Sequence, residues 1–139
     1  MTTTATRPAG RSTNTTATRV GYALSGVAVV FLLFDAVIHL LVLPQVAEAA
    51  GQLGFPVSTM PVIGALELVC LVLYVVPRTS VLGAILLTAF LGGAMSAQVR
   101  VGAPLLSTVL FSAYVAVVVW AGLYLRNAAL RSAIGVVRG

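Results

Sequence analysis

The feature that most limits what this chain can fold into is the stretch over residues 20–43, in which Asp35 and His39 are the only strongly polar side chains. At about 1.5 Å of rise per residue a helix of this length reaches about 36 Å, enough to cross a hydrocarbon core about 30 Å thick. Ala47-Glu48-Ala49 has the small-x-small spacing of a signal-peptide cleavage site. The apolar core before it is longer than the roughly 7–15 residues of such peptides, so the stretch reads as a membrane span. Three more spans follow, over residues 61–76, from the turn at 77–80 to about 99, and over 105–125. Pro61 suits the first turn of its helix, where its missing N–H has no intrahelical partner to lose. That span is short and is expected to borrow residues 58–60.

Composition agrees. Of 139 residues, 60% are apolar and 8% charged, and the mean hydropathy is +1.09. So few polar residues cannot cover a soluble surface, which excludes a soluble enzyme. The expected fold class is all-α, an integral membrane antiparallel four-helix bundle, because short connections make successive helices antiparallel neighbours. Residues 1–18, with eight Thr and no large aliphatic beyond Met1, read as a disordered cytoplasmic tail. Residues 19–126 read as the four-helix transmembrane domain and 127–139 as a second cytoplasmic tail. Between the first two spans, residues 44–50 have room for one short interfacial helix.

All eight basic residues are arginine, and their placement sets the expected topology. With the N-terminus inside, Arg7, Arg11, Arg19, Arg78, Arg126, Arg131 and Arg138 are cytoplasmic and Arg100 alone is outside. Both termini are then cytoplasmic. Tyr22, Tyr74, Trp120 and Tyr124 fall near cytoplasmic span ends, where amphipathic rings favour the headgroups. The charge of +5 is thereby explained by topology and anionic lipid, with no nucleic-acid partner required.

Chemistry in such a chain is sought where polar groups enter the spans, at about 2.5–3.5 kcal/mol for a mid-span charge. Asp35 and His39 are four apart and share a helix face. Asp35 lies about 12 Å and Glu67 about 9 Å below the outer ends of their helices, in one layer. His39 is higher, near Gln98 and Arg100, so these five residues are expected to line one outward-facing pocket, with no comparable cluster in the inner half. The two carboxyls read either as hydrogen-bonded helix glue or as groups that bind a polar head or relay a proton. His39 is either a partly wet interfacial residue or part of that site. Arg100 is either a headgroup-facing loop charge or the site's cation. Asp35, His39 and Glu67 would offer N and O donors to a divalent metal, but without dense His/Cys spacing no metal site is assigned. Ala89, Gly92, Gly93, Ser96 and Ala97 read as a small-residue packing stripe. Cys70, the single cysteine, reads as a small apolar residue and precludes an intrachain disulfide. No P-loop, nucleophile triad or haem-ligand pair is present.

Several blocks in order resemble the DoxX-like membrane proteins of bacteria. They are the run Phe31-Leu32-Leu33-Phe34-Asp35-Ala36-Val37-Ile38-His39-Leu40, then Leu53-Gly54-Phe55-Pro56, then Ile63-Gly64-Ala65-Leu66-Glu67-Leu68. Later come Val76-Pro77-Arg78-Thr79-Ser80, Leu91-Gly92-Gly93-Ala94, Val99-Arg100 and Gly122-Leu123-Tyr124-Leu125-Arg126. The resemblance spans about residues 20–130. It implies a four-helix protein of the bacterial inner membrane, from a group that includes a subunit of a thiosulfate:quinone oxidoreductase and partners of oxidative-stress enzymes. It carries no catalytic residue onto this chain, and Gln98 stands where the subgroup often has His. The expected function is binding of a quinone-like or lipid-like molecule in the outer-leaflet pocket, in support of a redox or stress-response assembly with partner membrane proteins. The alternatives are a non-catalytic accessory subunit and a proton-coupled transporter, the latter requiring a homo-oligomer because the chain has no repeated half.

Overall fold

The computed structural model describes residues 15–137, which contain helices and connections and no strand. The elements are α1 (Thr15–Leu40), α2 (Pro44–Leu53), a 3-10 turn (Val57–Thr59), α3 (Met60–Val75), α4 (Ser80–Arg100), a π-helical turn (Leu105–Val109), α5 (Leu110–Arg126) and α6 (Ala128–Val137). Among the described residues, four helices are long and apolar enough to span a membrane: Thr15–Leu40, Val57–Val75, Ser80–Arg100 and Leu105–Arg126. α1 packs on α3 and α5, and α4 packs on the same two helices, which closes an antiparallel four-helix ring. Its outer surface exposes Val27, Val30, Phe34, Val62, Val69 and Val117, a face that hydrocarbon solvates and water does not. The chain is an all-α, multi-pass membrane bundle.

Its ends depart from the sequence reading in two places. α1 begins at Thr15, so residues 15–18, expected in the tail, lengthen the first span; residues 1–14 lie outside the described residues, as does Arg138. The second departure is α6, in a stretch read as tail. Asn127 starts it as an N-cap, its Oδ1 accepting the Leu130 N–H at 3.0 Å, and Leu130 packs against the bundle core. The expected interfacial helix forms as α2 with Pro44 in its first turn, and it runs on to Leu53. The 3-10 turn supplies the residues that the second span needed.

The chain ends of α1, α2 and α4 share one device. Leu43 N–H bonds Ile38 O and Val42 N–H bonds His39 O; Phe55 and Gly54 repeat the pattern on Ala50 and Gly51, and Ala103 and Gly102 on Gln98 and Val99. Each is a Schellman turn, which satisfies helix-end carbonyls through one left-handed residue. Glycine fills that position at Gly54 and Gly102, but α1 uses Val42, at φ 49°. A β-branched side chain there costs about 1–2 kcal/mol, and Val42 offsets it by packing on the small cluster of Val46, Ala50 and Met60.

The core proper holds Leu32, Leu71, Tyr74, Leu87, Val119 and Leu123. At the end where α1 begins and α5 finishes the helices touch backbone to backbone. A Cβ on Gly83 would lie 2.2 Å from the Tyr74 amide nitrogen, and one on Gly21 2.6 Å from that of Arg126. Tyr74, expected among the headgroups, is fully buried here. Its hydroxyl donates to Val119 O at 2.9 Å, so the Ser25 hydroxyl must donate to it, at 3.0 Å. Arg126 donates to Tyr74 O at 3.0 Å and lies 4.8 Å over its ring. This half therefore does hold a polar cluster, contrary to the sequence reading, which missed it because each member alone resembles an interfacial or small residue.

Candidate functional site

The site begins with a close contact between α1 and α3. A Cβ on Gly64 would fall 2.7 Å from Ala36 O and 2.9 Å from His39 Cβ, so only glycine lets the two backbones approach this far. Three residues along α3, close to one turn, the same approach presses Glu67 against Asp35 and His39. One ligand atom from each of the three side chains lies within 4.8 Å of the other two. Glu67 is 0% exposed, and neither of its carboxylate oxygens has a hydrogen-bond partner. His39 Nδ1 donates to the Asp35 backbone carbonyl at 2.8 Å and lies 3.5 Å from Asp35 Oδ2. A ring donating from Nδ1 keeps its free lone pair, when neutral, on Nε2.

Asp35 and His39 also face a cavity of about 650 Å³. Its walls include Phe31, Leu32, Phe90 and Phe111, and Phe31 meets Phe111 edge to face at 5.5 Å. α2 closes one side with Val46, Ala50 and Leu53. The polar positions are Asp35, His39, Gln98, Ser107, Thr108 and Ser112. An apolar chamber of this size with a few convergent polar groups is the usual build of a small-molecule site.

Of the five residues expected in one pocket, three line this cavity: Asp35, His39 and Gln98. Glu67 stands behind Asp35 and His39 and does not reach the cavity wall. Arg100 does not line the cavity but lies against its wall: its Nη2 donates to Leu53 O and its guanidinium lies 5.6 Å over the Phe55 ring, both residues of that wall. The reason is local, since the last carbonyls of α2 have no partner within the helix and carry its negative end. Among the described residues, no arginine forms an ion pair with Asp35 or Glu67.

Sequence reasoning missed the α5 side of the site. Thr108 and Ser112 are four apart, and that spacing on one helix face was the available signal. Thr108 lies in the π-helical turn, a widened geometry that recurs at functional positions. The small residues of α4 also have a different use from the one expected. Added Cβ atoms on Gly92 and Gly93 would meet nothing within 4 Å, and Ala89, Gly93, Ala94 and Ala97 line the cavity. They make room where packing was expected.

Comparison with curated proteins finds no match, and comparison with solved structures finds none. The sequence model of the DoxX-like family, by contrast, matches residues 23–122, a stretch that reaches into all four spans and includes Asp35, His39, Glu67, Gln98 and Arg100. A match over most of the chain, with the four-helix bundle that accompanies it, means that this chain belongs to the DoxX-like family.

Proposed function

We propose that the protein holds a quinone-like or lipid-like molecule in the cavity between α1, α4 and α5, and in this way supports a redox or stress-response assembly of a bacterial inner membrane. The observation that carries this reading is the composition of the cavity: aromatic and aliphatic walls with Asp35, His39 and Gln98 at its polar side. A head group with a hydroxyl would donate to Asp35 and accept from the Gln98 amide, while the apolar body lies between Phe31, Phe90 and Phe111. The placement of the arginines supports one membrane orientation. Arg19, Arg78, Arg126 and Arg131 belong to the end where α1 begins, α5 finishes and α3 turns into α4, and Arg100 to the end that carries α2. The first end is then cytoplasmic and the cavity opens in the outer leaflet.

The test is native mass spectrometry of the protein purified in native nanodiscs, with lipid and quinone analysis of what remains bound. One molecule per chain is expected, lost on Asp35→Asn and on Ala94→Phe, which fills the cavity. A wild-type chain that is empty, or that retains the molecule through both substitutions, overturns the proposal and favours an accessory subunit.

A further inference from the structure

We infer that Asp35, His39 and Glu67 bind one divalent transition-metal ion behind the polar wall of the cavity. Glu67 supplies the first reason. A fully buried carboxylate with both oxygens unpartnered is costly unless a cation or a donor meets it. Among the described residues no arginine meets it: Arg100 is engaged with Leu53 and Phe55, Arg126 lies against Tyr74 at the other end, and the chain has no lysine, so the ionisable groups beside it are Asp35 and His39.

The donor set supplies the second reason. One imidazole and two carboxylates, from two helices held in contact by Gly64, are ligands suited to zinc, iron or manganese in the divalent state. Bonds of about 2.0–2.2 Å place neighbouring ligand atoms about 3–3.5 Å apart. The three ligand atoms, within 4.8 Å of one another, would draw in to that spacing around an ion. The bond from His39 Nδ1–H to the Asp35 carbonyl orients the ring and leaves Nε2 to bind, the arrangement that metal-bound histidines use. Three protein ligands leave a coordination position open, and Asp35 and His39 place it at the cavity. Glu67 stands 28 residues from His39 and 32 from Asp35 along the chain, so the donor set is only a weak pattern in the sequence and assembles through the α1–α3 contact.

His39 is the only histidine in the chain, which gives a direct readout. Tag-free protein in nanodiscs, stripped with a chelator and labelled with 15N-histidine, is titrated with Zn²⁺, and with Co²⁺ followed by visible absorption. Saturable one-to-one binding is expected, with a metal-ligand shift of one imidazole nitrogen and a Co²⁺ ligand-field band. Glu67→Gln and His39→Gln should each weaken binding by at least about 100-fold. His39 is partly exposed, so its variant should fold even where a Glu67 variant does not, and helical circular dichroism checks both. No binding to the wild type, or equal binding to the folded variants, overturns the inference. Lipid and quinone retention by the same metal-free sample reports separately on the cavity, so either reading can fail alone.

Discussion

The two ends of this bundle are built on opposite rules. At the end where α1 begins and α5 finishes, Gly21 and Gly83 bring backbones into contact, and the hydroxyls of Ser25 and Tyr74 are both engaged. At the α2 end α1 and α3 still touch at Gly64, but α1, α4 and α5 surround a cavity of about 650 Å³, Gly92 and Gly93 face open space, and Glu67 keeps two unpartnered oxygens. The same residue type thus does contrary things. Glycine closes the structure where another backbone lies opposite, and opens it where nothing does. The closed end ties the helices together, which leaves the other end free to hold space.

The largest expected effect breaks the closed end. Gly83→Ala forces a Cβ to 2.2 Å from Tyr74 N and should cost about 3 kcal/mol or more, read as a lowered thermal unfolding midpoint in detergent. Tyr74→Phe removes two buried hydrogen bonds, for a loss of about 2 kcal/mol; denaturant titration monitored by tryptophan fluorescence would measure it. Gly93→Ala should reverse the sign, raising stability by up to about 1 kcal/mol, since the added methyl meets nothing and the helix loses a flexible residue. A destabilised Gly93→Ala protein would contradict the contrast drawn here. The smallest effect belongs to Arg100→Ala. It should leave the global midpoint unchanged and speed hydrogen exchange only in the amides of α2, which loses its anchor at Leu53.

The spans, α2 and the Asp35–Glu67 layer were legible in the sequence because length, apolar content and helical rise fix them without tertiary information. Arg100 was not, because its choice between the pocket and the Leu53 carbonyl depends on where α2 ends in space. Tyr74 was misplaced for a similar reason. A tyrosine near a span end normally sits among headgroups, and only the glycine-mediated approach of α4 and α5 encloses it. α6 was hidden by the expectation that residues after the last span form a tail, although Asn127, Leu130 and Ile134 carry a cap and an apolar face.

The contact at Gly64 has a consequence for biosynthesis. α1 emerges from the ribosome before α3, so Asp35 and His39 are already within the bilayer when Glu67 is threaded into it. A lone acid at that depth disfavours insertion by about 2.5–3.5 kcal/mol, but here it arrives beside a polar face waiting on the earlier helix, and Gly64 lets it come close. Chain order thus gives the most expensive residue of the second span a destination prepared by the first.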